Sequence, residues 1–402
     1  MSLTLDPARL VRIQSWADRY TDEQKFPGMS VLIRQRGQEV FFANSGTRDL
    51  ATGAEFERDT VARIYSMTKP ITSLILMMLV EEGAIHLDAP LSRFLPAFND
   101  MQALRPGATD IADTEACATP TLHQLLTHQS GLSYPFNPGI LPEAMADLDL
   151  LFKPTSGTLA EQCSALANLP LALAPGHRWE YSVGIDVIGH VIEVITGQSL
   201  DHVFHTRVLD PLGMAHTGFA VPAKAVGRFA SLYTPLAGDA MDLTASADES
   251  TSLRLFDDAQ NSPFRETTCF SGGGGLIGTI DDYMAFAECL RLRGRGLISP
   301  STADFMMANH LPGDIASLGP ASFAEQPMDG MGFGIGGAVV IDPARSRVPS
   351  SIGDFSWGGM ASTFFWIDRV HDVSVVLFTQ LSPSSSYPAR AELKALVHGA
   401  LM

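Results

Sequence analysis

One apolar segment, residues 71–80, constrains the fold of this chain more than any other. It is apolar on nearly every face, which predicts a helix buried in the middle of a domain. Glu81, Glu82 and Gly83 follow it and predict a polar C-terminal end. Pro70 marks the other end, because proline is tolerated in the first turn of a helix but not in its interior.

Ser66 and Lys69 stand at the predicted start of this helix. Residues three apart lie on one helix face, so the amine of Lys69 can reach the hydroxyl of Ser66. A serine paired with a lysine base is an acyl-transfer nucleophile, and the helix N-terminus favours developing negative charge. The spacing alone also fits an exposed serine beside a solvated lysine, but Pro70 and the apolar segment disfavour that interpretation.

The composition is that of an enzyme-sized globular protein. The 402 residues are 46% hydrophobic and 18% charged, enough for a large core in one large or two interlocked domains. The formal charge of −17, from 44 acidic and 27 basic residues, argues against nucleic acid or an anionic membrane surface as a partner. No signal-peptide pattern and no uncharged apolar stretch of about 18 residues occurs, so we expect a cytoplasmic protein. The cysteines, Cys117, Cys163, Cys269 and Cys289, have no paired spacing, which predicts free thiols.

Strand-like segments lie near both ends of the chain, and helical patterns lie between them. The strand-like segments are residues 29–33, 39–43, 333–341, 362–367 and 373–378. The helical segments are residues 7–26, 121–127, 185–196, 201–208 and 281–292, with a final helix from about residue 389, and residues 135–154 and 237–261 are predicted as extended loops. This order predicts an α/β fold whose sheet uses both chain ends.

Several motifs resemble those of the serine β-lactamase and penicillin-binding-protein superfamily. They occupy residues 66–69, 122–132, 175–184, 211–214, 271–276 and 357–359, in the order expected for that family. The chain is most similar to class C β-lactamases and to the carboxylesterases that share their fold, the family VIII esterases. The resemblance implies an α+β fold, an antiparallel sheet flanked by helices. It further implies an α/β domain from residues 1–88 and 275–402, with a mostly helical, loop-rich domain, residues 89–274, inserted between them.

The resemblance also implies roles for three side chains. Ser66 would be the nucleophile, Lys69 its base, and Tyr181 a relay for a proton between the nucleophile and the leaving group. A buried lysine suits this role, because desolvation lowers its pKa from about 10.4 by several units. Without the resemblance, Tyr181 would be an ordinary aromatic residue in a loop before a helix.

The third motif, Trp357-Gly358-Gly359, departs from the β-lactamase pattern. In β-lactamases a lysine at the position of Trp357 helps to hold a carboxylate. An indole offers a donor and a flat apolar face but no charge, so a neutral ester is the better substrate for this chain. The resemblance places the oxyanion hole at the backbone N–H groups of Ser66 and of Met360, which follows the motif on a strand expected at the sheet edge.

The acyl pocket has lining candidates, whereas no cofactor or metal is expected. Phe136, Leu141 and Phe152 are the candidates, with simple core packing as the alternative. Residues 273–278 fit G-x-G-x-x-G, but acidic residues follow and no strand lies at the required distance, so a tight turn beside the cleft is favoured over a dinucleotide site. His202 and His205 share a helix face without an HExxH pattern, which disfavours a metal site.

These observations predict a serine hydrolase that cleaves small-molecule carboxylic esters through an acyl-enzyme intermediate. An alcohol that replaced water would give transesterification. A β-lactamase or D-alanyl peptidase, an amide hydrolase acting on short amino-acid oligomers, and a non-catalytic binding protein with the same fold are the alternatives. The lack of a G-x-S-x-G motif argues against a hydrolase of the α/β-hydrolase fold.

Overall fold

The computed structural model describes residues 3–247 and 252–402 of the chain. The strands are β1 (Gly28–Gln35), β2 (Gln38–Asp49), β3 (Ala54–Glu55), β4 (Ala62–Arg63), β5 (Gln102–Leu104), β6 (Thr114–Ala116), β7 (Leu232–Thr234), β8 (Arg254–Asp257), β9 (Ile277–Gly278), β10 (Ser322–Phe323), β11 (Gln326–Pro327), β12 (Met331–Phe333), β13 (Ala338–Val340), β14 (Phe355–Gly358), β15 (Phe364–Asp368) and β16 (Val373–Thr379). The helices are α1 (Pro7–Asp22), α2 (Lys69–Glu81), α3 (Leu122–Leu126), α4 (Ile140–Asp147), α5 (Leu159–Leu166), α6 (Gly184–Thr196), α7 (Leu200–Phe204), α8 (Asp210–Leu212), α9 (Ile280–Arg291), α10 (Pro300–Met306), α11 (Ile315–Leu318), α12 (Pro343–Ser346) and α13 (Ala389–His398).

An eight-stranded sheet joins the two ends of the chain. Its order is β12-β13-β14-β15-β16-β1-β2-β3, and the neighbouring strands are antiparallel. β1 and β2 form the predicted hairpin, and β1 pairs on its other side with β16, where Val31 lies opposite Leu377. The predicted antiparallel sheet from both chain ends is therefore confirmed. The proposed domain boundaries at residues 88 and 275 stay a prediction.

Both faces of the central strand β1 are buried. Val31 and Ile33 contribute to a core shared with α1 and α13, whereas Leu32 belongs to a larger core that includes α2 and α9. This alternation follows from the two-residue period of a strand. Burial on both faces explains why three apolar residues, Val31, Leu32 and Ile33, follow one another in β1.

The helix predicted from the apolar segment is α2, and it lies in the larger core. Its residues from Lys69 to Leu79 are all buried, and it packs against α6. Pro70 lies in its first turn, as expected. A single turn of 3₁₀ helix, Tyr65–Thr68, leads directly into α2 and carries Ser66. The turn that carries the candidate nucleophile therefore leads directly into a buried helix.

Some local predictions are wrong. Residues 333–341 do not form one strand, since β12 and β13 are paired around a turn in which Gly336 has a φ of 85°. Residues 135–154 are not all loop, because they contain α4. The helix expected over residues 7–26 ends at Asp22. Residues 237–261 contain β8, and residues 248–251 of that predicted loop lie outside the described part of the chain.

The strand that carries Trp357 is not at the sheet edge. β14 lies between β13 and β15, which corrects the expectation of an edge strand. However, β13 pairs only with Phe355 and Ser356, whereas β15 also pairs with Trp357 and Gly358. The end of β14 therefore projects beyond one of its neighbours, towards the start of α2.

Two further predictions concern the chain as a whole. The four cysteines are free thiols, as expected. None of the helices within residues 3–247 and 252–402 is long and apolar enough to cross a membrane.

Candidate active site

Ser66 lies in a tightly held turn. Tyr65, directly before it, has a φ of 41°, a conformation that a non-glycine residue seldom adopts. The hydroxyl of Thr68 donates to the Tyr65 carbonyl oxygen at 2.6 Å and accepts from the Leu276 amide at 3.1 Å. Strained residues are retained where the surrounding structure holds them, and they cluster at functional sites. The turn therefore presents the Ser66 hydroxyl in a fixed direction.

Lys69 is fully buried beside Ser66. Its Nζ lies 3.2 Å from Ser66 Oγ and donates to Tyr134 Oη at 2.9 Å and to the carbonyl oxygen of Gly273 at 2.7 Å. Burial lowers the pKa of Lys69 to about 7, although the Asp186 carboxylate opposes the shift. A sizeable share of Lys69 is thus a neutral amine at neutral pH, able to accept the Ser66 proton.

Tyr181 contacts Ser66 from the other side. Its hydroxyl donates to Ser66 Oγ at 2.6 Å, and its ring packs against Phe323 and Trp357 at centroid distances of 4.7 and 5.5 Å. Burial raises the pKa of Tyr181, so the phenol stays protonated at neutral pH. The structure thus brings together the three side chains proposed for catalysis, with Ser66 Oγ between an amine and a phenol.

A buried polar network behind Lys69 was not predicted from the sequence. Asp186, in the first turn of α6, accepts hydrogen bonds from Ser271 Oγ, from the Gly273 amide at 2.9 Å and from Tyr134 Oη at 3.3 Å. Burial raises the pKa of Asp186, against the effects of Lys69 and these donors. The network fixes the two groups that accept hydrogen bonds from Lys69. A carboxylate inside the apolar pattern of α6 was the available sequence signal.

Met360 and Ser66 border the same cavity, as an oxyanion hole formed by their two amides requires. Within the described residues, the Met360 amide donates no hydrogen bond, whereas the Gly359 amide is bound to the Thr363 carbonyl oxygen at 2.9 Å. A Cβ atom at Gly359 would lie 2.3 Å from the carbonyl oxygen of Ile64. Only glycine allows the end of β14 to approach the Ser66 turn this closely.

The cavity in front of Ser66 has a volume of about 350 Å³ and mostly apolar walls. Of the predicted substrate-binding residues, the cavity is lined by Phe136, Phe152, Trp357, Gly358 and Gly359. Leu141 instead borders a neighbouring cavity, which shares Phe136, Tyr181 and Phe323 with the first. Sequence reasoning missed Phe323, because it lies on β10, far along the chain from the family motifs.

Among residues 3–247 and 252–402, one group of side chains has the geometry of a metal site, and it lies away from this cavity. Asp354, Asp368 and His398 each place a ligand atom within 4.8 Å of the others. Lys394 Nζ lies 3.4 Å from Asp354 and already supplies positive charge there. Residues 273–278 were predicted as a tight turn beside the cleft. Gly273, Gly274 and Gly275 line the Ser66 cavity, whereas Ile277–Gly278 form β9.

The chain is similar to known proteins over most of its length. A family model described as Beta-lactamase matches residues 13–399. Esterase EstB of Burkholderia gladioli is 31% identical over 390 residues, which cover 94% of this chain and 92% of that protein. Protein Rv1367c of Mycobacterium tuberculosis is 34% identical over 375 residues, which cover 90% of this chain and 88% of that protein.

The fold is also similar to that of solved structures. The structure of EstCE1, described as a hydrolase with promiscuous acyltransferase activity, has a TM-score of 0.81 and 28% sequence identity, and the match covers 98% of both chains. The resemblance inferred from the motifs and the predicted fold class are both confirmed. The chain belongs to the beta-lactamase family.

Proposed function

We propose that this protein is a serine carboxylesterase that works through an acyl-enzyme on Ser66. The observation that carries the proposal is the position of Ser66 Oγ, 3.2 Å from Lys69 Nζ and 2.6 Å from Tyr181 Oη. Two similar proteins support ester hydrolysis and acyl transfer. EstB is named as an esterase, and EstCE1 is described as a hydrolase with promiscuous acyltransferase activity.

The arrangement supports a balanced sequence of proton transfers. Ser66 Oγ attacks the ester carbonyl carbon while the neutral amine of Lys69 takes its proton. The negative oxygen of the tetrahedral intermediate accepts hydrogen bonds from the amides of Ser66 and Met360. The Tyr181 hydroxyl gives its proton to the departing alkoxide, and the Lys69 ammonium returns a proton to the phenolate. Water then attacks the acyl-enzyme by the same steps in reverse, which releases the acid and restores Ser66.

A neutral ester suits the cavity better than a β-lactam or a D-alanyl peptide. Trp357 lines the cavity with an indole ring. An indole carries no charge, so the positive group that holds a carboxylate in β-lactamases is missing at this position. The proposed partner is therefore a small ester, and hydrolysis of short amino-acid oligomers remains the alternative.

Acyl transfer to an alcohol is a second proposed activity. Two cavities, of about 350 and 790 Å³, adjoin Tyr181 and share Phe136 and Phe323. Their joint presence would let one cavity hold the acyl group while an alcohol enters from the other and competes with water. The cytoplasmic location and the expectation that neither nucleic acid nor membrane is a partner remain predictions from the sequence.

The proposal is tested by the hydrolysis of p-nitrophenyl butyrate and by labelling with a fluorophosphonate. Ser66→Ala should abolish both turnover and labelling, because no other nucleophile adjoins both Lys69 and Tyr181 among the described residues. Ser164→Ala, an exposed serine on α5, is the matched control and should retain both. Labelling that survives in Ser66→Ala would contradict the proposed nucleophile. Faster turnover of nitrocefin than of the butyrate ester would contradict the proposed esterase activity.

A further inference from the structure

Arg390 is a buried cation in the wall of the Ser66 cavity. It lies in the first turn of α13, and only 7% of the residue is exposed. Its guanidinium lies against the end of β14, because a Cβ atom at Gly358 would be 2.6 Å from Arg390 Cζ. Nη2 donates to the carbonyl oxygens of Gly359 and Thr363 at 2.9 and 3.3 Å. Nη1 has no hydrogen-bond partner in residues 3–247 and 252–402.

Glu325 faces Arg390 from the connection between β10 and β11. Its Oε1 lies 3.4 Å from Arg390 Nε, and the two side chains are 6% and 8% exposed. Neither carboxylate oxygen of Glu325 has a hydrogen-bond partner in the described chain. Burial raises the pKa of Glu325, and the charge of Arg390 opposes this shift. The Glu325 carboxylate is therefore placed to neutralise Arg390 without the hydrogen bonds that usually hold a buried ion pair.

The other charged side chains that line the cavity are also paired. Lys153 Nζ lies 2.5 Å from Asp149, and Asp257 lies 2.7 Å from the guanidinium of Arg63. With Glu325 opposite Arg390, the cavity carries no unbalanced charge in its described walls. A substrate carboxylate that approached Arg390 would meet a cation that is already neutralised, and it would be repelled by Glu325.

We propose that Glu325 determines substrate charge specificity: it neutralises Arg390 and so excludes substrates that carry a carboxylate. Removal of its charge would leave Arg390 uncompensated in a place of low dielectric constant, where a ligand carboxylate restores neutrality and can bind Nη1. This inference rests on the proposed ester hydrolysis, whose substrate class it narrows to neutral esters. Glu325 acts through Arg390 and is therefore a positioning residue.

Matched pairs of esters test this role. One pair is p-nitrophenyl valerate and mono-p-nitrophenyl glutarate, which differ by a carboxylate on the acyl chain; the other is phenyl butyrate and carboxyphenyl butyrate, which differ on the alcohol. Wild-type protein should favour the neutral ester in kcat/KM by about tenfold or more in both pairs. Glu325→Gln should move this ratio by about tenfold towards the anionic ester in at least one pair, mainly through KM.

Two controls separate charge from structure. Glu57→Gln removes the same charge from an exposed glutamate on the surface and should leave both ratios unchanged. Addition of Arg390→Gln to Glu325→Gln should cancel the shift. A Glu325→Gln variant that slows both esters of each pair equally would show a merely structural role and overturn the proposal.

Binding of glutarate to variants in a Ser66→Ala background provides a readout without turnover. Calorimetry should detect glutarate binding to Ser66→Ala/Glu325→Gln and none to Ser66→Ala alone. If Glu325→Gln does not fold, the proteins with Glu325 intact still test the inference. Glutarate binding to Ser66→Ala, or a preference of the wild type for the anionic ester, would overturn it. Failure of the esterase proposal is distinct, because it would appear as no Ser66-dependent hydrolysis of either ester.

Discussion

Ser66 lies between two groups that can move a proton, the amine of Lys69 and the phenol of Tyr181, and these two groups have different surroundings. On one side, Lys69 is held by polar atoms, the hydroxyl of Tyr134 and the carbonyl oxygen of Gly273, with Asp186 behind them. On the other side, Tyr181 packs among rings, including His128 at a centroid distance of 4.8 Å. Both groups are buried, but one is fixed by hydrogen bonds and the other mainly by packing.

The same physical cause acts in opposite directions on the two groups. Loss of water penalises the charged form, which is the ammonium of lysine and the phenolate of tyrosine. Burial therefore lowers the pKa of Lys69 to about 7 and raises the pKa of Tyr181. We infer that desolvation is the main influence on both groups: it prepares a base on one side of Ser66 and raises the pKa of the acid on the other side further above neutral pH.

Among the variants at Lys69, Tyr181 and Asp186, removal of the Lys69 amine should reduce activity most. Lys69→Met keeps an unbranched side chain in the buried site but has no amine, so kcat/KM for p-nitrophenyl butyrate should fall roughly 10³–10⁴-fold. Lys25→Met, a surface lysine paired with Glu23, is the control and should retain activity. A Lys69→Met variant whose kcat/KM stayed within tenfold of the wild-type value would show that the base is a group other than Lys69.

Removal of the Tyr181 hydroxyl should reduce activity less than removal of the Lys69 amine. Tyr181→Phe keeps the ring contacts with Trp357 and Phe323 and deletes only the hydroxyl, so kcat should fall roughly 10²–10³-fold while KM changes little. Tyr387→Phe, in a half-buried tyrosine remote from Ser66, should leave kcat unchanged. If Tyr181→Phe proves more damaging than Lys69→Met, the phenol rather than the amine is the principal base.

The sequence was informative about the two sides to different degrees. Ser66 and Lys69 were found from local spacing and Pro70, and the position of α2 followed from its apolar sequence. Tyr181 depended on the family resemblance, since nothing in its local sequence distinguishes it. Asp186 and its partners were missed, because contacts between α6 and the turn at Gly273 join distant parts of the chain.

The errors in the fold have a similar physical origin. Residues 333–341 have the composition of one strand, and only the pairing of β12 with β13 shows the turn at Gly336. β14 was expected at an edge, because its pairing with β13 cannot be read from the residues of β14 alone. Long amphipathic or apolar segments such as α9 and β16 were predicted well, since their patterns are set by burial along their whole length.

The smallest expected effect concerns the polar side of Ser66 and its pH dependence. In the wild type, Lys69 must be neutral to act as a base, so kcat/KM should rise as pH increases through about 7, the pKa of Lys69. The Asp186 carboxylate favours the ammonium form and raises that pKa. Asp186→Asn should therefore lower the pKa of Lys69 further and move the acid limb of the profile to lower pH.

This variant also separates charge from geometry in the network. Asparagine can still accept the hydrogen bonds from Ser271 and the Gly273 amide, so activity at the optimum should fall only about tenfold. Asp147→Asn, on an exposed residue of α4, makes the same change in net charge and should leave the pH profile in place. An acid limb that moves to higher pH, or stays fixed, in Asp186→Asn would show that the polar side does not tune Lys69. The contrast between the two sides of Ser66 would then rest on packing alone.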